Sequence, residues 1–224
     1  MDAHGESIGP DQWLPTDALL DGLLLGEDVA LSAALADSQS AGLPPIEVSP
    51  QTARLLYLLV RISGARRVLE IGTLAGYSTI CLARGVGPEG SVVTLEHNPR
   101  HAEIAANNLR RAGVADRVEI VVGAALETLP GLAGDFDLVF IDADKENNCA
   151  YLNWAIRLGR PGTVIVVDNV VRSGRILSPA NDDHQARAVR DMLEMMGAHP
   201  HLEAAAIQTV GAKGWDGLAI ARVT

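Results

Sequence analysis

From residue 66 onward, short apolar runs rich in β-branched residues alternate with longer stretches in which apolar positions recur every three or four residues. The runs are Val68–Ile71, Val92–Leu95, Val118–Val122, Leu138–Ile141 and Val164–Val167, and helical spacing marks His101–Ala112 and Cys149–Leu158 between them. Runs without regular polar alternation suit strands buried on both faces, and strands alternating with helices build a parallel sheet from βαβ units. Segments 203–209 and 217–223 are predicted as edge strands. Ahead of the sheet, leucines and alanines keep helical spacing over 16–37, with Thr16 or Asp17 in the N-cap position. That pattern stops at Gly42-Leu-Pro-Pro45, and a second helix is predicted from Ser49-Pro50 to Ile62. The expected fold is one doubly wound α/β domain over 16–224, a mostly parallel seven-stranded sheet with an N-terminal helical extension. No ordered element is expected in the polar leader, 1–15.

Composition narrows the function. With 28 acidic and 18 basic residues the net charge is −10, which argues against a nucleic-acid partner, because phosphate binding needs a basic face. No apolar run approaches the roughly 20 residues of a membrane span. The N-terminus lacks the basic start and apolar stretch of a secretion signal. Cys81 and Cys149 cannot supply a disulfide framework or a four-cysteine zinc site, so a cytoplasmic protein is expected. Only two of the 18 basic residues are lysine, Lys145 and Lys213.

In sheets of this kind ligands bind beyond the carboxyl ends of the strands. The first run opens into Glu70-Ile-Gly-Thr-Leu-Ala-Gly76 and then a helix near Ser78. Gly72 and Gly76 there would let the backbone approach a ligand closely, or would simply permit a tight turn. The second run ends in Glu96, 26 residues after Glu70, where a carboxylate can accept hydrogen bonds from ribose hydroxyls. Together these describe a nucleotide-like cofactor site. The missing third glycine of G-x-G-x-x-G, and the repulsion of a pyrophosphate by Glu70, disfavour a nicotinamide-dependent oxidoreductase. A carboxylate suits instead a ligand with a positive amino or sulfonium group.

The fourth run ends in Ile141-Asp142-Ala-Asp-Lys145 and the fifth in Val167-Asp168-Asn169. Two carboxylates and an amide oxygen on adjacent strand ends form a hard donor set for Mg²⁺ or a similar ion; the alternative is ordinary helix capping. Lys145, three residues after Asp142, can return its amine to the same pocket, and lysine, unlike arginine, can give up its proton. The alternative is a solvated surface lysine.

The segments Val68-LEIGTLAGYS78, Val93-TLEHNP99, Phe140-IDADKENN148 and Val166-VDNVVRSGR175 resemble the metal-dependent class I O-methyltransferases, the group of catechol and caffeoyl-CoA O-methyltransferases. The likeness runs from about residue 17 to the C-terminus and includes Gly42-LPPIEVSP50 and Gly214-WDGLAIARV223. It implies a Rossmann-like domain that moves a methyl group from S-adenosylmethionine to a hydroxyl of a catechol-like or hydroxycinnamoyl-type small molecule. By this resemblance Glu96 binds the ribose. Glu70, Gly72, Gly76 and Ser78 surround the methionine part, and Val48 adds backbone contacts. Asp142, which also borders the cofactor, joins Asp168 and Asn169 as the metal ligands, and Lys145 is the general base. Relatives are homodimers, with the N-terminal helix a candidate for the interface.

Some positions depart from the family pattern. Many relatives carry Gly-Asp-Ala where this chain has Gly123-Ala-Ala125, so adenine contacts fall to backbone groups, with Ala124 the candidate. Asn148 stands where tyrosine is frequent, and Arg172 where tryptophan or leucine is frequent. Arg172 either favours an acidic acceptor or is a solvated loop arginine. His97 and His101 are expected at the surface, and Trp215 is a candidate for the acceptor side. The rival readings are an NAD(P)-dependent oxidoreductase, a metal-independent methyltransferase in which the aspartates are structural, and a cofactor-binding protein without catalysis.

Overall fold

In the computed structural model, which describes residues 9–224, all five apolar runs are strands of one sheet. They are β1 (Arg67–Ile71), β2 (Ser91–Glu96), β3 (Val118–Val122), β4 (Leu138–Ile141) and β5 (Val164–Asp168). Two longer strands, β6 (Leu202–Gly211) and β7 (Gly214–Val223), complete a seven-stranded sheet of order β3-β2-β1-β4-β5-β7-β6. Strands β1 to β5 are mutually parallel, and β7 runs against both of its neighbours.

Alternate residues of each central strand leave on opposite faces, and both faces are covered. Leu69, Ile71, Val139 and Ile141 pack with Tyr151, Leu152 and Met192 on one side. Val68, Leu138, Phe140 and Val166 pack with Leu56, Ile80 and Leu82 on the other. Each such fully buried aliphatic side chain stabilises by about 1.5–3 kcal/mol relative to exposure, which is why these runs carry so few polar residues. Two polar residues of these runs, Glu70 and Thr94, nevertheless have no exposed surface.

The N-terminal pattern departs from expectation. It forms two helices, α1 (Trp13–Leu24) and α2 (Val29–Ser40), preceded by a short 3-10 turn at Pro10–Gln12. Gly26, at φ +68°, breaks the chain between them, and the Asp28 side chain caps α2 by accepting from Leu31 N at 3.1 Å. Helix α1 therefore begins ahead of the predicted cap. Thr16 donates to Gln12 O at 2.7 Å, and Asp17 accepts from Ala212 N at 2.6 Å, tying α1 to the β6–β7 turn. The leader is thus ordered from Pro10, and residues 1–8 lie outside the described part.

Helix α3 (Pro50–Ser63) follows the predicted pattern, with Ser49 Oγ accepting from Thr52 N at 3.1 Å. Helices α4 (Tyr77–Val86), α5 (Pro99–Arg111), α6 (Ala125–Thr128) and α7 (Asn148–Leu158) connect the parallel strands. Helix α8 (His184–Ala198) occupies a stretch with no predicted element; Asp183 caps it, and it buries Ala186, Val189, Met192 and Met196 at helical spacing. Among the described residues no helix is long and apolar enough to cross a membrane.

Candidate functional site

The strand order reverses direction at β1, with β2 on one side and β4 on the other, which opens a crevice at their carboxyl ends. A cleft of about 840 Å³ lies there, running from Glu96 after β2 to Asn169 after β5. Those ends are three strand spacings apart, roughly 14 Å, enough for a nucleoside at one end and a second small molecule at the other.

On β1, Glu70 accepts from three hydroxyls: Ser78 Oγ at 2.6 Å, Thr79 Oγ1 at 2.5 Å and Thr94 Oγ1 at 2.6 Å. Burial pushes its carboxyl up to about 7, against the pull of those three donors. Glu70 does not line the cleft; it stands behind Ser78, which does. Its place is structural to the loop, binding the first turn of α4 to β1 and β2, and a ligand meets it through Ser78.

The glycine turn owes its shape to the protein before any ligand. Gly72 has φ +104°, and a Cβ there would lie 2.1 Å from the carbonyl oxygen of Asp142. Gly76, at φ +84°, starts α4 with its back against Ala105 and lies outside the cleft lining. Glu96 then fastens the turn: Oε2 accepts from Thr73 N at 3.2 Å and Leu74 N at 2.8 Å, while Oε1 accepts from Asn98 N at 2.9 Å. From α5, buried Asn108 donates to Ala75 O at 3.0 Å. Val48, Glu96 and Ala124 all line the cleft. So do His97 and His101, of which His97 is exposed as expected and His101 is half-buried, its Nδ1 3.5 Å from Glu96 Oε1.

At the other end, Lys145 is 6% exposed, and its Nζ donates to Asp142 Oδ1 at 2.8 Å. It is therefore not a solvated surface lysine. The loop carrying the pair is held by Asp144, whose carboxylate accepts from Tyr151 OH at 2.5 Å and from the Asn147 amide. Asp168 is set back from the cleft lining, with Oδ1 accepting from Asn169 N at 2.7 Å. Burial first, then the negative charge of Asp142, pushes Asp168 up to about 7. Asn169 adopts φ +61° and does line the cleft.

The turn after β5 is fixed from β7. Asp216 Oδ1 accepts from Val171 N at 2.9 Å, Arg172 N at 3.0 Å and Gly217 N at 2.9 Å. This holds Arg172 and Ser173 in the left-handed region, at φ +54° and +55°. Trp215 packs beside Gly174 and donates to Gln208 Oε1 at 2.9 Å, supporting this turn from outside the cleft lining. Asn148, also away from the cleft lining, is buried with neither amide atom bonded.

The donor chemistry fits a hard divalent cation. Two carboxylates and an amide share adjacent strand ends, and one carboxylate is so poorly placed for its own charge that a cation would relieve it. Among the described residues no three His, Cys, Asp or Glu side chains converge, so such an ion would depend on the Asn169 amide as its third protein donor.

Sequence reasoning missed Asn108, Asp144 and Asp216. Asp144 sits inside the I-D-A-D-K segment and acts on Asn147 and Tyr151 a few residues on, whereas Asp216, beside Trp215, acts on backbone that only the fold brings to it.

A cleft at the switch point of such a sheet, with a carboxylate at one end and an acid–lysine pair at the other, is where α/β enzymes of this kind bind their small-molecule ligands. The antiparallel β7 inserted between β5 and β6 sets this sheet apart from the dinucleotide-binding order 3-2-1-4-5-6. The profile of the O-methyltransferase family matches residues 29–223. A catechol O-methyltransferase of Mycobacterium tuberculosis is 66% identical over 208 residues, covering 92% of this chain and 94% of that one. A second, from Niastella koreensis, is 44% identical over 92% of this chain and 96% of its own. The crystal structure of an O-methyltransferase from Bacillus cereus in complex with SAH superposes with a TM-score of 0.94 at 45% identity, covering 96% of this chain and all of that one. The chain belongs to the O-methyltransferase family of S-adenosylmethionine-dependent enzymes.

Proposed function

We propose that this protein methylates a hydroxyl of a catechol-like or hydroxycinnamoyl-type small molecule, with Lys145 as general base and a divalent cation, Mg²⁺ by its donor chemistry, on Asp142, Asp168 and Asn169. The observation that carries this reading is the buried Lys145–Asp142 pair lining the same cleft as Glu96 and Ser78.

The cofactor supplies an electrophilic methyl carbon on a sulfonium. Glu96 spends three of its about four acceptor sites on main-chain N–H groups, two of them in the glycine turn, and keeps one on Oε1 for a ribose hydroxyl. Ser78 has already donated its proton to Glu70, so toward a ligand its oxygen can only accept, which suits the ammonium of the methionine part. Ala124 and Val48 offer main-chain groups and apolar surface at the adenine and methionine sides. An ion on Asp142, Asp168 and Asn169 would acidify a hydroxyl bound to it and draw charge from the carboxylate that now holds the Lys145 ammonium. Lys145, its ammonium proton first passed to solvent, would then take the hydroxyl proton at Nζ as a neutral amine. The oxygen would bond to the methyl carbon in line as the carbon–sulfur bond breaks and S-adenosylhomocysteine leaves. Orientation of the two reactants in one cleft contributes much of the rate.

Titration calorimetry is expected to show S-adenosylhomocysteine binding and no NAD(H) binding, and a methyl-transfer assay to show turnover of catechol. NAD(H) binding without S-adenosylhomocysteine binding would overturn the assignment.

A homodimer is part of the same proposal. Helix α1 buries none of its own residues, and Leu14, Leu19, Leu23 and Leu24 are each at least 60% exposed. Apolar side chains so concentrated on one helix suit a subunit contact. Sedimentation at micromolar concentration is expected to give twice the chain mass; a monomer would refute this.

A further inference from the structure

We propose that Arg172 makes this enzyme selective for ortho-dihydroxy aromatics that also carry a carboxylate. The inference rests on the methyl-transfer reading above and names the acceptor class of that same site.

Arg172 lines the cleft at its Lys145 and Asn169 end, beside Gln185 of α8. Some arginines of the chain are held by carboxylates, as Arg84 is by Asp28 and the nearby Arg175 by Asp183, and others, among the described residues, are not. Arg172 has no carboxylate within ion-pair distance among the described residues. Its guanidinium makes one side-chain hydrogen bond, from Nη2 to the neutral Gln185 Oε1 at 2.5 Å, and its Nε–H is buried without an acceptor.

A partly buried cation in this condition is costly unless something anionic completes it. The backbone adds a second argument. Arg172 is kept in a left-handed conformation that side chains other than glycine rarely adopt, and the Asp216 carboxylate fixes it there through two successive main-chain N–H groups. Backbone strain maintained this way aims the side chain at the cleft rather than leaving it free to find solvent. The reacting hydroxyls of an acceptor belong at Lys145 and Asp142, and Arg172 and Gln185 line the same cleft, where another substituent of the ring would meet them. A planar guanidinium with free N–H groups matches a carboxylate on that ring. A cationic substituent there would meet Arg172 as a like charge.

The test compares kcat/KM for three acceptors that differ at one substituent: catechol, 3,4-dihydroxybenzoate and 3,4-dihydroxyphenethylamine. The wild-type enzyme is expected to prefer the benzoate over the amine by at least about 10-fold, the scale of one charge-assisted hydrogen bond. In Arg172→Met the benzoate-to-catechol ratio should fall about 10- to 100-fold. The ratio is the readout because a general loss of activity cancels from it. Gln185→Glu leaves Arg172 in place but gives it an internal partner, and it should lower the same ratio even where the methionine variant fails to fold. An unchanged ratio in a folded variant, or a wild-type preference for the amine, overturns the assignment. Absence of turnover with all three acceptors would instead refute the catechol-like acceptor of the proposed function, and turnover of catechol without charge preference would remove Arg172 alone.

Discussion

Substituting Lys145 by arginine is expected to lower kcat for methyl transfer by about 10²–10⁴-fold, the usual contribution of a positioned base. Arginine is the informative replacement. It retains a cation beside Asp142, so the buried pair is not broken and the cost of an unpaired buried carboxylate is avoided. What it cannot do is give up its proton near neutral pH. Lys145→Met, which removes the amine and the charge together, should be as inactive and less stable. Stopped-turnover measurements of kcat at saturating cofactor, with thermal melts of both variants alongside, separate chemistry from folding. An arginine variant with the wild-type rate would show that Nζ carries no proton in the reaction.

Removing divalent ions should have an effect at least as large. Dialysis against EDTA is expected to abolish turnover of catechol, and Mg²⁺ to restore it. Full activity in chelator would return the aspartates to a structural role and favour the metal-independent rival. The same ions should alter stability in a pH-dependent way whose sign follows from Asp168. Its folded carboxyl is raised from 3.8 to about 7. Between those values the native state holds a proton that the unfolded chain has lost, so stability conferred by this group is present below about pH 4 and falls as pH rises toward about 7. A cation binds the deprotonated form, so the rise in Tm on adding Mg²⁺ should be larger at pH 8 than at pH 6. Glu70 is raised by burial first and also by the negative charge of Asp142, so an ion on Asp142 would relieve part of that shift as well.

What could be read in the sequence follows a physical division. The central strands were legible because a parallel sheet buried on both faces demands mostly apolar residues, and β4 begins and ends where its run does. The strand-end acids were legible because topology places carboxyl ends at the ligand crevice. The helical break at Gly26 was hidden by leucine and alanine spacing that carries across it, although a glycine followed by an aspartate cap is the signal that marks it. Helix α8 was hidden because only four of its fifteen residues are buried. Within the site, the supports act between residues far apart in the chain: Asn108 on Ala75 across 33 positions, and Asp216 on Val171 across 45. No local pattern encodes such a pair. Glu70 was legible as a strand-end acid, but its exclusion from the cleft depends on three hydroxyls from two other elements.

The contact between Gly72 and the Asp142 carbonyl has one more consequence. With less than a side chain's width between them, the turn proposed to receive the methyl donor and the strand end proposed to receive the acceptor are effectively one piece. Their spacing is settled when β1 and β4 zip together, not when a ligand arrives, so alignment costs nothing at each turnover. It also confines evolutionary drift. New acceptors can be accommodated only by rewriting the turn after Asn169 and the face of α8 that meets it, while the donor side must be inherited unchanged.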